Sequence, residues 1–150
     1  MITPGQPAPA WSIQGALIDG PAEPEAYRGR PLLLLFFNIG CVGCTGRAIP
    51  YTLELHEQYP QLHIAAIHSS FSASSTYPEA QIKAVLDYFK IPYPVLLDEG
   101  ETTFERYGAE GTPHWVLIDA EGKVLKSFFG SMEGAIQRME YTLLELFPEG

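Results

Sequence analysis

Cysteine and basic residues are both scarce in this 150-residue sequence, and each scarcity excludes a class of function. Only two cysteines are present, whereas small secreted scaffolds held together by disulfides carry more of them at wider spacing. The nine lysine and arginine residues are outnumbered by eighteen acidic ones, which gives a formal net charge of −9 at pH 7. Nucleic acids and anionic membrane surfaces are bound through basic patches, so the sequence predicts neither as a partner.

Long apolar segments are also missing. The longest apolar run, Leu32–Phe37, is far too short for a helix that spans a bilayer. Residues 1–15 lack the basic stretch and apolar core of a secretory signal. We therefore predict no membrane span and a cytoplasmic location, which would become extracytoplasmic if a leader had been removed before position 1.

The composition is that of an ordinary globular protein. Apolar residues make up 46% of the chain and charged residues 18%, values typical of a chain that buries a hydrophobic core. No internal repeat, low-complexity tract or linker divides the sequence. We predict one domain over residues 1–150.

Apolar patterning predicts alternating strands and helices. Strands are predicted at Leu32–Phe37, 62–67, 95–97, 115–119 and Val124–Phe129. Helices are predicted at 44–59 with a kink at Pro50, and at 78–89, 102–107 and 132–147. This order favours a central mixed sheet with helices on both faces.

Local signals refine this scheme. Residues 1–30 are rich in proline and glycine, with short apolar pieces at 11–13 and 16–18, and are expected to form a loop-rich entry that carries a hairpin. Residues 120–123 are expected to form a turn with Gly122 at positive φ. Thr76 and Glu79 predict a capping box for the helix at 78–89, and Ser131 predicts an N-cap for the last helix.

The most informative motif is Cys41-Val42-Gly43-Cys44, between the first buried strand and the helix after it. Helix N-termini favour a thiolate, and only the thiolate attacks a disulfide. We predict that Cys41 attacks a substrate disulfide and that Cys44, deeper in the helix, resolves the mixed disulfide. Gly40 and Gly43 carry no side chain, which predicts open access to Cys41.

Two structural interpretations compete with this chemistry. In the first, the cysteines are a structural pair buried in the core, and in the second they are half of a metal site. No second CxxC motif or closely spaced histidine pair accompanies them, so the sequence predicts neither a metal nor another cofactor.

A second motif, Gly111-Thr112-Pro113, precedes a predicted strand, where a proline without an N–H is tolerated. Combined with the upstream CxxC, it resembles the Thr–cis-Pro element that faces the cysteines in thioredoxin-like proteins. The expected role is to leave the backbone of Thr112 free to pair with an extended substrate. His114, directly after the proline, is expected near the thiolate if its ring turns that way.

Over residues 4–129 the sequence resembles the TlpA-like branch of the redoxins, related to the AhpC-TSA group, within the thioredoxin superfamily. The matching segments lie at 5–9, 28–31, 41–44, 93–98, 107–113, 117–119 and 122–124. The resemblance implies an α/β, thioredoxin-like three-layer fold with an insertion, roughly 69–92, between its βαβ and ββα parts. It also implies a nucleophile at Cys41, a resolving Cys44 and a cis bond at Pro113.

The expected function is that of an enzyme, a thiol–disulfide oxidoreductase. Its predicted partners are a disulfide-containing protein substrate and a thiol or thioredoxin-type electron donor. Its predicted substrate-binding residues are Gly40, Thr112, Pro113 and His114. The chain departs from the family in having Gly40 in place of an aromatic residue and Val42-Gly43 in place of a dipeptide with proline.

Two other functions stay open. A cysteine peroxidase shares this fold but needs a proline and a threonine or serine upstream of its cysteine. The corresponding positions are Asn38 and Leu34 before Cys41, and Cys41 and Phe37 before Cys44. A copper-handling or other metal-binding module would join the pair to a distal histidine, for which His68 and His114 are the candidates.

Overall fold

The fold is a six-stranded mixed sheet, seen in a computed structural model that describes residues 2–148. The strands are β1 (Ile13–Ile18), β2 (Leu32–Phe37), β3 (His63–His68), β4 (Val95–Asp98), β5 (His114–Ile118) and β6 (Val124–Phe129). Their spatial order is β1-β4-β3-β2-β5-β6. The strands β2, β3 and β4 are parallel, whereas β1, β5 and β6 join their neighbours antiparallel.

Within residues 2–148, four α-helices and three short helical turns accompany the strands, and the last helix follows the last strand. The helices are α1 (Ile49–Gln58), α2 (Glu79–Phe89), α3 (Thr102–Arg106) and α4 (Glu133–Leu146). Two 3₁₀ turns lie at Pro24–Tyr27 and Ala73–Ser75, and a π-helical turn at Cys44–Ala48 precedes α1. Within residues 2–148, no helix has the length and apolar character needed to cross a membrane.

The core lies on both faces of the sheet because β2 is buried along its whole length. Leu33, Leu35 and Phe37 point to one face, where α1, α2 and α4 pack. Leu32, Leu34 and Phe36 point to the other, which is covered by α3 and by the segment around Trp11 and Tyr27. The unbroken apolar run of β2 thus explains its central place.

The predicted thioredoxin-like architecture is confirmed, including the insertion. Between β3 and β4 the chain forms the turn Ala73–Ser75 and then α2, which buries Ile82 and Leu86 in the core. The insertion is therefore packed against the sheet.

The hairpin predicted in the first thirty residues is wrong. Residues 2–30 contain one strand, β1, which adds to the sheet edge beside β4, because β4 offers it an unpaired edge. The helical segment that begins at Val42 contains the π-helical turn Cys44–Ala48, which ends two residues before Pro50. A kink at Pro50 itself stays a prediction.

The two predicted caps are also wrong. At α2 the N-cap position is Pro78, with no side-chain bond, and the Oγ1 of Thr76 donates to the carbonyl of Ser72. A capping box does form, but within the preceding turn, between Ser72 and Ser75. At α4 the N-cap position is Met132, so Ser131 lies one residue too early. The predicted turn is confirmed, with φ of Gly122 at 88°.

Candidate active site

The sheet brings the two predicted motifs to the same edge. The chain leaves the carboxyl end of β2, turns through residues 38–40 and reaches Cys41, directly before the helical residues Val42 and Gly43. β5 runs antiparallel to β2 and pairs His114 with Phe36, so Thr112 and Pro113 enter β5 at this edge. The pairing of β5 with β2 thus places the two motifs next to each other in space, although they are far apart in the sequence.

The thiol of Cys41 lies between two backbone groups. Its Sγ is 3.2 Å from the carbonyl oxygen of Thr112, to which the thiol donates. The N–H of Cys44 donates to the same Sγ at 3.3 Å. Amide donors aimed at a sulfur stabilise its thiolate form. The Cys41 sulfur is thus held by one hydrogen-bond acceptor, the carbonyl of Thr112, and one donor, the N–H of Cys44.

The two cysteines differ sharply in exposure. Both are free thiols; Cys41 is partly exposed, whereas Cys44 is fully buried. Burial raises the pKa of the Cys44 thiol well above its ordinary value, and the neighbouring Cys41 adds to the rise. The Cys44 thiol therefore keeps its proton while Cys41 faces the solvent.

The Thr112–Pro113 peptide bond is cis, as predicted. The carbonyl of Pro113 accepts the N–H of Gly130 at 2.9 Å. The indole N–H of Trp115 donates to the carbonyl of Gly130 at 2.8 Å. These bonds hold the Thr112–Pro113 segment to the β6–α4 connection, so the carbonyl beside Cys41 has a fixed place.

Gly43 owes its identity to close packing. Its φ of −65° suits any residue, but an added Cβ would stand 2.7 Å from the Oγ of Ser131 and 3.5 Å from the Cδ of Pro113. A side chain at this position would therefore require the Ser131 hydroxyl group to move.

At Gly40 the space that a side chain would need is already filled, and open access to Cys41 stays a prediction. The space that a Cβ of Gly40 would need is occupied by the hydroxyl group of Tyr77, which comes from the insertion. Tyr77 packs partly buried on the same side of the sheet as Cys41. Gly40 therefore makes room for an aromatic side chain from elsewhere in the chain.

The structure does not bring the ring of His114 to the cysteines. Along β5, His114 shares the parity of Val116 and Ile118, whose side chains belong to the opposite core from Cys44. Its Nε2 shares a hydrogen bond of 2.8 Å with the Oγ of Ser127, and burial lowers its pKa to about 4. A place in substrate binding is therefore not supported for this ring.

Two residues at the site were not singled out for it by the sequence. Asn38 accepts the N–H of Gly40 with its side-chain oxygen, and the Nε2 of His68 accepts the N–H of Ile39 at 3.1 Å. The polar Asn38 directly after a buried strand is the signal that could have identified it. For His68 the sequence offers only a candidate role as a metal ligand.

Metal-ligand geometry does not assemble around the cysteines. Among residues 2–148, no three His, Cys, Asp or Glu side chains cluster in a way that suits an ion. The Nε2 atoms of both candidate histidines, His68 and His114, already have hydrogen-bond partners.

This fold and this cysteine pair define a thioredoxin-like protein with a dithiol centre. The model of the Redoxin family matches residues 3–143, and the chain belongs to that family. A relative is the thiol-disulfide oxidoreductase ResA of Bacillus thuringiensis (strain Al Hakam), 26% identical over 126 residues, which span 84% of this chain and 69% of ResA. ResA of Geobacillus thermodenitrificans (strain NG80-2) is 27% identical over 106 residues, or 71% of this chain and 58% of the relative.

A solved structure agrees with this assignment. A thiol-disulfide isomerase from Corynebacterium glutamicum is 25% identical, with a TM-score of 0.77 over 91% of this chain and 96% of that one. The predicted redoxin resemblance is confirmed, and so is the predicted class of enzyme: the protein is a thiol–disulfide oxidoreductase.

Proposed function

We propose that Cys41 is the nucleophile and Cys44 the resolving thiol of a dithiol–disulfide exchange. The observation that carries this is the contrast between a partly exposed Cys41, whose Sγ accepts the N–H of Cys44, and a fully buried Cys44. Since burial raises the pKa of Cys44, that thiol stays protonated during the first step. Cys41 is then the only sulfur ready to attack.

The exchange proceeds in two substitutions at sulfur. The Cys41 thiolate attacks one sulfur of the substrate disulfide; that bond breaks, and the other substrate sulfur leaves as a thiolate that takes up a proton. Cys44 then gives up its proton and attacks Sγ of Cys41, which releases the second substrate thiol. The substrate gains two electrons and two protons, and the protein keeps a Cys41–Cys44 disulfide. A thiol or thioredoxin-type donor reverses these steps to restore the dithiol.

The proposed substrate-binding segment comprises Thr112 and Pro113 and is bordered by exposed apolar side chains. Val42 is 84% exposed beside Cys41, and Met132 is 74% exposed next to Ser131, which packs on Gly43. Phe129, 51% exposed, has its ring against Gly111. Exposed apolar side chains grouped around a reactive sulfur favour a polypeptide over a small thiol. A disulfide-containing protein is therefore the proposed substrate.

The location remains a prediction from the sequence. The proposed exchange operates in the cytoplasm or outside it, depending on the donor that keeps the pair reduced. The redox state of the pair, trapped with acid and read in separated cell fractions, tests the cytoplasmic assignment.

The experiment that tests the proposed roles is trapping with Cys44→Ser. The substrate is a protein whose disulfides have been reduced and formed again. The variant is expected to accumulate a mixed disulfide between Cys41 and this protein, because the thiol that releases the substrate is missing. Cys41→Ser, the matched control, should form no such adduct. Turnover of the substrate by Cys44→Ser at the wild-type rate, without added thiol, contradicts the two-cysteine scheme.

A further inference from the structure

Hydrogen bonds hold all three amide N–H groups of the loop that leads from β2 to the nucleophile. The N–H of Ile39 donates to the Nε2 of His68 at 3.1 Å. The N–H of Gly40 donates to the Oδ1 of Asn38 at 2.8 Å, and that of Cys41 to the backbone carbonyl of Asn38 at 3.0 Å. Two of the three acceptors therefore belong to one residue, Asn38, which is only 3% exposed.

The other end of the Asn38 side chain is tied to the insertion. Its Nδ2 donates to the carbonyl of Ser69 at 2.8 Å and to that of Ser75 at 2.9 Å. Ser69 is itself anchored, since its Oγ donates to the Oδ2 of buried Asp98 at 2.8 Å. Only a primary amide supplies two donors and an acceptor at this length; a carboxylate donates nothing and a hydroxyl donates one hydrogen.

We propose that Asn38 is the positioning residue of the nucleophile. It connects the backbone of Cys41 to the Ser69–Ser75 segment and so sets where Sγ stands relative to the N–H of Cys44. The proposal rests on the exchange function given above. Because small displacements of a reacting atom cost large factors in rate, a loosened loop weakens both the thiolate-stabilising bond and the approach to a substrate.

The test compares two variants with wild type and a matched control. Asn38→Ala removes all three side-chain bonds, and Asn38→Ser keeps a shorter side chain with one oxygen. The control is Thr103→Val: Thr103 is fully buried and its Oγ1 also accepts a loop amide, from Ser12 at 2.9 Å. It lies in α3, which packs on the face of the sheet opposite Cys44.

Three measurements are made on each reduced protein: the rate of Cys41 carbamidomethylation against pH, the temperature of unfolding, and the rate of exchange with oxidised glutathione. We expect Asn38→Ala to slow alkylation near neutral pH about tenfold, the factor that corresponds to losing one well-made hydrogen bond. The midpoint of its pH profile should move upward, and Asn38→Ser should move in the same direction by less. Thr103→Val should lower only the temperature of unfolding.

Unchanged alkylation profiles in the Asn38 variants, alongside a lower temperature of unfolding, overturn the proposal and leave Asn38 a purely structural role. If Asn38→Ala does not fold, Asn38→Ser decides the same question. These measurements test the proposed exchange function and the positioning role of Asn38 separately. A wild-type protein that alkylates normally but does not exchange with oxidised glutathione contradicts the proposed function, whereas the alkylation profiles still decide the role of Asn38.

Discussion

The sulfur of Cys41 lies 3.2 Å from the carbonyl oxygen of Thr112, although 71 residues separate them in the chain. The contact exists because β5 pairs antiparallel with β2, so the residues that enter β5 meet those that leave β2. A substrate chain that pairs with the Thr112 backbone is thereby presented to the thiol. The proposed nucleophile and the proposed substrate-binding segment therefore lie in contact with each other.

The cysteines should react with an alkylating agent in a fixed order. With limiting iodoacetamide at mildly acidic pH, we expect Cys41 to be labelled first, because Cys44 is buried and burial raises the pKa of its thiol. Peptide mass spectrometry of the quenched protein gives the order. Earlier labelling of Cys44 would reverse the proposed roles.

Adding a single methyl group at Gly43 should disturb the site. An alanine Cβ would stand 2.7 Å from the Oγ of Ser131, so Gly43→Ala is expected to lower the free energy of unfolding by about 1–3 kcal/mol and to slow exchange. Gly46→Ala is the matched control, since no atom lies within 4 Å of an added Cβ there. Urea unfolding and the rate of exchange with oxidised glutathione measure both effects.

A second substitution tests the steric cause. Combining Gly43→Ala with Ser131→Ala removes the clashing oxygen, and we expect most of the lost stability and rate to return. If Gly46→Ala is as harmful as Gly43→Ala, or if the double variant recovers nothing, contact with Ser131 is not the reason for the glycine.

Stability should depend on pH through His68. Burial lowers its pKa to about 4, below the value near 6.5 of an unfolded chain. Between these values the unfolded state binds a proton that the folded state does not, so stability is lost as pH falls from about 6.5 toward 4. For one such group, the loss from pH 6.5 to pH 5 amounts to about 1.6 kcal/mol.

His68→Gln separates this contribution from that of other groups. The glutamine side-chain oxygen can still accept the N–H of Ile39 but does not titrate. Urea unfolding at pH 6.5 and 5 should show a smaller pH effect in His68→Gln than in wild type, and no change of that effect in the exposed control His56→Gln. Equal pH effects in wild type and His68→Gln would rule out a buried, neutral His68.

The sequence predicted those parts of the site that depend on neighbours along the chain. Leu32–Phe37 has no polar residue, so burial on both faces was its only stable arrangement, and the CxxC motif directly after it fixed the place of the thiols. The family pattern added the cis bond at Pro113. Fold and cysteine pair were therefore accessible without a structure.

Contacts between residues that are distant in the sequence could not be predicted in this way. The hydroxyl group of Tyr77 fills the space at Gly40 from a loop with no periodic pattern to place it. The ring of His114 turns away because the two-residue period of β5 sends it to the face opposite Trp115. The predicted start of that strand is residue 115, whereas the strand begins at His114. The direction of the His114 side chain could therefore not be read from the strand period.

The most direct test of the central claim is equilibration of the protein in glutathione buffers that span the range from reducing to oxidising, followed by acid trapping. If the pair exchanges as proposed, the protein passes through one two-electron transition between dithiol and disulfide. Through that transition the ratio of disulfide to dithiol changes tenfold for each change of about 30 mV in the potential of the buffer. Mass spectrometry of the oxidised protein should show a Cys41–Cys44 bond. A protein that stays reduced throughout, or that ends with glutathione on Cys41 and a free Cys44 thiol, contradicts the claim that these two cysteines form the redox centre.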